Sequence, residues 1–258
     1  MTLVDTHCHL DDEKYFEDFD EVLRRSRAEG VTRIVIPGAD LKDLPRAVSL
    51  CEKYDGLYFS VGVHPYHAAE FDEKHFLEFA SHPRCVAIGE CGLDYYRLPE
   101  NEEEKIAEKK LQADVFVAQI ELAKKFKKPL IVHIRDASPD SKKILEECGA
   151  SEVGGVLHCF NADDNLLSLA KDGFYFGIGG VLTFSNARKL VEVLPKIPLD
   201  KLVFETDAPY LTPTPHRGKR NEPSYVPLIV KKTSEILGKS EDELCALTSE
   251  NADRLFFD

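Results

Sequence analysis

Two histidines separated by one residue stand near the start of the chain, in Val4-Asp5-Thr6-His7-Cys8-His9-Leu10. Side chains alternate faces along a strand, so a strand over 3–10 turns His7 and His9 the same way and Cys8 the other. Two imidazoles on one face at a strand end can hold one metal ion. Taken alone, the pair equally describes ordinary polar residues at a strand terminus. Five of the nine histidines (His7, His9, His64, His133 and His158) follow short apolar runs, and so do Glu90 and Asp207. Imidazole suits Zn and related ions and carboxylates extend the range to Mg and Mn, so the ion itself stays open. Such a donor set is too large for one tetrahedral ion and suits two, which can clamp the attacking and leaving oxygens of a displacement and acidify a water. Glu90, with two oxygens, is the natural bridge. Asp207 can hold a metal and also take the water's proton.

The elements that must position these residues alternate. Strand-like runs are expected at 3–10, 33–36, 57–63, 85–89, 129–132, 155–157, 174–178 and 201–205. Helical periodicity occupies 11–30, 41–54, 73–80, 103–126, 140–147, 187–194, 225–237 and 241–255. Eight near-continuous apolar strands alternating with helices predict an α/β fold, a (β/α)8 TIM barrel. With 258 residues the chain is expected to form one such domain over 1–258, with the metal site at the C-terminal mouth of the strands.

Composition narrows the function. Hydrophobic residues make up 43% and charged residues 31%, which excludes general disorder. No apolar run suits a membrane span or a signal peptide, so a cytoplasmic protein that avoids membranes is expected. The seven cysteines lack paired spacing and read as reduced thiols, with Cys85, Cys91 and Cys159 as core filler. A net charge of -13 argues against a broad nucleic-acid-binding surface and requires any polyanion to be held locally.

The order and spacing of several segments resemble the TatD-like deoxyribonuclease family of amidohydrolase-like barrels. They are Val4 to Leu10; Gly62-Val63-His64-Pro65; Ile88-Gly89-Glu90-Cys91-Gly92-Leu93-Asp94-Tyr95; and Pro129-Leu130-Ile131-Val132-His133-Ile134-Arg135-Asp136-Ala137. His158-Cys159-Phe160, Glu205-Thr206-Asp207-Ala208-Pro209-Tyr210-Leu211 and the stretch from Pro215 to Pro223 complete them. The resemblance implies two divalent ions (Mg, Mn or Zn), one held by His7, His9, Glu90 and Asp207 and the other by Glu90, His133 and His158. It implies DNA, single-stranded or damaged, as substrate. Asn161-Ala162 replaces the usual Ser-Gly after His-Cys-Phe, and Ala208 stands where Ser is common; neither removes a ligand. Other barrels of the wider group carry a bridging lysine where this chain has Glu90.

Other roles are expectations from position. His64 contacts the scissile phosphate or protonates the leaving oxygen. Arg135 faces the mouth by its spacing from His133, although an ion pair with Asp136 competes. Arg217, Lys219 and Arg220 form the best local basic patch, a backbone clamp or a solvated charge run. Tyr95, Tyr96 and Tyr210 either stack on bases or pack within their loops. A metal hydrolase of a small amide, lactone or phosphoester is the first alternative, and a non-catalytic metal-binding protein the second. Neither an obligate protein partner nor more than a monomer or small homo-oligomer is expected.

Overall fold

The computed structural model describes residues 2–258, and Met1 lies outside it. Among the described residues, eight parallel strands pair in sequence order: β1 Leu3–Asp5, β2 Val31–Ile36, β3 Leu57–Val61, β4 Cys85–Asp94, β5 Leu130–Arg135, β6 Gly155–Leu157, β7 Phe174–Ile178 and β8 Leu202–Phe204. The helices are α1 Phe19–Ala28, α2 Leu44–Lys53, α3 Glu73–Phe79, α4 Glu102–Phe126, α5 Ser138–Glu147, α6 Arg188–Val193, α7 Val226–Leu237 and α8 Glu241–Phe256. The predicted (β/α)8 barrel is therefore the observed one. Between β6 and β7 the crossover is a 3-10 segment, Asp164–Asp172, opened by the Asp163 carboxylate on the Asn165 amide and closed by Gly173 at a φ of 86°.

Period-2 alternation sorts the strand residues. Phe59, Ile88, Leu130, Val132, Phe174, Phe176 and Phe204 join the core under the helices, whereas Val4, Val35, Ala87, Ile131, Val156, Tyr175 and Val203 form a separate cluster. The second cluster takes about one residue per strand and adds Ala252, Leu255 and Phe256 from α8, so the last helix plugs the bottom of the barrel. Its top is left to polar residues.

Strand 1 is shorter than its sequence suggests. It ends at Asp5, and the residues beyond it leave the regular ladder for the segment that follows β8. Thr6 N–H donates to Phe204 O, Asp207 N–H to His7 O, and His9 N–H to Ala208 O, while Cys8 bridges Ala208. The first and last strands are thus sewn together at His7, His9 and Asp207. Below this seam, the buried Asp5 carboxylate accepts from Thr206 Oγ1 at 2.6 Å, Thr206 N at 2.9 Å and His7 N at 3.3 Å.

Strand 4 is longer than expected, running five residues past Gly89 with a register shift between Gly89 and Cys91. Strand 5 likewise continues through His133 to Arg135. The segment over 11–30, by contrast, is only partly helical: a 3-10 turn, Glu13–Tyr15, precedes α1.

The two glutamines of the chain lie on α4 and fasten the tops of two strands. Gln119 Oε1 accepts from Val63 N–H at 2.9 Å and its Nε2 donates to Val63 O at 3.0 Å, one residue before His64. Gln112 Oε1 accepts from Asp94 N–H at 3.0 Å. Asn101 caps this helix by accepting from the Glu103 and Glu104 amides, and three glutamates in its first turn favour the positive end of the dipole. Gln119→Leu keeps the volume but strands a buried N–H and C=O, so it should cost roughly 1–3 kcal/mol in denaturant unfolding. Unchanged stability would show that this clamp contributes nothing.

Candidate metal centre

Glu90 is 3% exposed and lies at the centre of the mouth. Its two oxygens face different partners. Oε2 lies 3.3 Å from His7 Nε2 and 3.8 Å from His9 Nε2. Oε1 lies 2.9 Å from His133 Nδ1, 3.3 Å from His158 Nε2 and 3.7 Å from His64 Nε2. Asp207 Oδ1 completes the first side, 3.7 Å from His7 Nε2 and 3.6 Å from His9 Nε2. Its backbone holds a left-handed φ of 55°, a conformation that costs a non-glycine residue of order 1 kcal/mol and that the seam to His7 holds in place.

This arrangement fits divalent cations. Donor atoms of His7, His9 and Asp207 lie within 4.8 Å of one another, as do those of Glu90, His133 and His158. The His7 and His158 rings stack with centroids 3.6 Å apart, a packing that two imidazolium ions would oppose and two neutral ligands accept. Burial and the neighbouring His158 depress the basicity of His7. Burial favours a neutral Glu90, but the surrounding His158 and His7 hold its carboxyl well below the usual range. Asp207 is likewise held low: burial opposes ionisation, and His9, His158 and His7 together outweigh it.

Two carboxylates behind these histidines were not singled out by the sequence reading. Asp94 Oδ2 lies 2.9 Å from His133 Nε2, and Glu205 Oε1 lies 3.3 Å from His158 Nδ1 while accepting the Cys159 amide at 2.6 Å. Asp94 can accept a hydrogen bond from His133 Nε2, and Glu205 stands beside His158 Nδ1, so each favours the tautomer that turns the other nitrogen toward Glu90. A signal did exist, since Asp94 and Glu205 stand at even spacing from Glu90 and Asp207.

His64 differs from the other four histidines. Its Nδ1 accepts the Tyr66 amide at 3.1 Å, which leaves the ring proton on Nε2, toward Glu90. Burial lowers its pKa to about 3, so the neutral ring is a hydrogen-bond donor rather than a reservoir of acid.

The remaining expected site residues separate by place. Arg135 lines the mouth and stacks its guanidinium 3.6 Å from the centroid of the exposed Tyr96 ring. Tyr210 also lines the mouth, half exposed, with Lys14 over its ring. Tyr95 instead donates to Asp140 at 2.9 Å beneath Lys109. Arg217 covers Phe184 and donates to Thr212 O, and Lys219 is exposed. Arg220 forks onto Asp18 at 2.7 and 2.6 Å and lies over Tyr15, a role in holding the loop to α1. Cys85 and Cys91 are buried as expected, but Cys159 is half-buried and walls a cavity. His67 is partly exposed and also lines the mouth.

A parallel barrel with this donor set at its C-terminal mouth defines a metal-dependent barrel hydrolase. The family model for TatD related DNase matches residues 4–257, and the chain belongs to that family. It is 44% identical to an uncharacterized metal-dependent hydrolase, YabD, of Bacillus subtilis, with 98% of each chain covered. It is 35% identical, again over 98% of each, to a protein of Escherichia fergusonii named 3'-5' ssDNA/RNA exonuclease TatD. The crystal structure of YjjV, a TatD homologue from Escherichia coli, superposes with a TM-score of 0.89 at 26% identity, covering 98% of this chain and 97% of that one. The phosphotriesterase homology protein of Escherichia coli, at 16% identity and a TM-score of 0.68, shares the fold.

Asp94→Asn should weaken metal binding by roughly 10–100-fold in calorimetric titration, because the amide no longer fixes the His133 tautomer. Wild-type affinity in that variant would exclude the orienting role. Arg220→Ala should cost about 0.5–1 kcal/mol at neutral pH, an exposed pair being screened by solvent. The Asp18 pKa is depressed below its ordinary 3.8, chiefly by the Arg220 hydrogen bond. That contribution is therefore complete above the unfolded value and is lost as pH falls through the depressed one, so wild type and variant should converge in acid.

Proposed function

We propose that this protein is a metal-dependent nuclease that hydrolyses phosphodiester bonds of single-stranded DNA, working from a 3′ end. The observation that carries the reading is Glu90, whose two oxygens face two separate groups of imidazoles. His7, His9, Glu90 and Asp207 would hold one divalent ion, and Glu90, His133 and His158 a second, with Mg, Mn or Zn as candidates. When bound, such a pair supplies charge neutralisation at the phosphate and an acidified water. The relatives named as ssDNA/RNA exonucleases support this choice of substrate, as does the family they share with this chain.

The chain's own groups supply the rest. Asp207, whose Oδ1 faces the histidines, accepts the proton of the attacking water and delivers it to the leaving oxygen as the P–O bond breaks. His64 Nε2–H donates to a non-bridging phosphate oxygen. Arg135, stacked and pre-ordered on Tyr96, contacts the adjoining phosphate. One barrel domain over 1–258 carries all of these groups, and no membrane-spanning segment is part of the reading: among the described residues no helix is long and apolar enough to cross a membrane.

Glu90→Gln keeps the shape of the carboxylate but removes its charge. Elemental analysis should find about two ions per wild-type chain. The variant should lose both the ions and the cleavage of labelled single-stranded DNA. Metal retention with full cleavage in the variant would refute the bridging role. Cleavage of small esters without cleavage of DNA would move the substrate to the small-molecule class.

A further inference from the structure

The mouth is unevenly charged. A cavity of about 480 Å³ over the histidines is lined by Asp11, Asp12, Asp40 and Asp43 from the segments after β1 and β2, by Arg97 from the segment after β4 and by Arg135 at the end of β5. A second cavity, about 610 Å³, shares His133, His158, Asp207, Arg135 and Tyr210 with the first. Beyond these it is walled by Phe160, Val181, Leu190 and Leu211, with the exposed Lys189 at its edge.

The carboxylates of the acidic arc are poorly neutralised. Among the described residues, Asp11 is 8% exposed, yet its carboxylate meets no donor from another side chain or amide and no cation within 4.0 Å. Asp43 also lacks an ion pair. Asp40 has Lys42 at 3.8 Å and His67 at 3.9 Å, and Asp12 has Lys14 at 3.9 Å and the Tyr210 hydroxyl at 3.4 Å. A carboxylate so little exposed and without a side-chain donor gains from a donor that a ligand brings. The group that can approach it beside a cleaved phosphodiester is a sugar hydroxyl, not another phosphate.

We propose that this charge partition sets the direction in which a strand lies across the centre. The continuing polyanion runs over Arg135 and Lys189, with the base next to the scissile bond in the apolar cavity. The acidic arc receives the terminal nucleoside, whose free 3′-hydroxyl donates to a carboxylate and whose end carries no phosphate. The assignment rests on the nuclease reading above and adds to it a requirement for an unphosphorylated 3′ terminus.

The test uses single-stranded oligonucleotides that end in a 3′-hydroxyl or a 3′-phosphate, with Mn-loaded wild type, Asp40→Asn/Asp43→Asn and Lys189→Glu. Wild type should prefer the 3′-hydroxyl end by at least about tenfold in kcat/KM, because like charges are opposed across the acidic arc. The double variant should lose most of that preference through faster cleavage of the 3′-phosphate substrate. Lys189→Glu, at an exposed position, should raise KM for both substrates severalfold at low salt while kcat changes less. An undiminished preference in the double variant, or an unaltered KM in Lys189→Glu, would overturn the partition while DNA cleavage by wild type still upheld the nuclease. Failure of wild type to cleave either oligonucleotide would remove both.

Discussion

A single buried carboxylate organises the top of this barrel. Glu90 sits at the convergence of five imidazoles and needs positive charge nearby, because an ionised group so far from water is otherwise prohibitive. The histidines alone are a poor solution. Protonating enough of them would set cation against cation, most directly where His7 stacks on His158. Divalent ions held by neutral imidazoles and the carboxylate would satisfy both parties, and the cost of burial would become affinity for metal.

That arrangement requires strand ends placed to within fractions of an ångström, and the fold supplies the support one layer back. Gln119 and Gln112 tie the tops of β3 and β4 to the longest helix, Asp94 and Glu205 stand behind His133 and His158, and Asp5 holds Thr206 under the seam. Much of the buried polar inventory thus serves orientation. The apolar layer lower in the barrel, plugged by α8, gives these groups a rigid floor.

The barrel and the convergence of His7, His9, His64, Glu90, His133, His158 and Asp207 at its mouth were legible in the sequence because both follow from local rules. Apolar runs mark strands, and residues that follow them fall at one rim. His7 and His9 do share a face, with Nε2 atoms 3.3 Å apart, although the regular strand stops before either. Long-range partners were not legible. Nothing in the spacing of Arg217, Lys219 and Arg220 announces that Arg220 is held by Asp18, a residue 202 positions away, or that Arg217 lies on Phe184. Asp94 and Glu205 could be seen as acids near strand ends, but their role depends on which nitrogen of a neighbouring ring they meet. The length of β4 was hidden for a related reason, because its bulge and glycines interrupt the apolar run that marks a strand.

The seam between β1 and β8 has a consequence for biosynthesis. Its partners lie about two hundred residues apart, and the hydrogen bonds joining Thr6, His7 and His9 to the region of Phe204 to Ala208 form only after nearly the whole barrel has been made. A nascent chain that has not reached Asp207 possesses every histidine of the centre but lacks the wall that closes it. Loop closure of that span comes late in folding, and metal affinity comes with it. The unfinished polypeptide thus carries the histidines of the centre without the carboxylate and the seam that complete it.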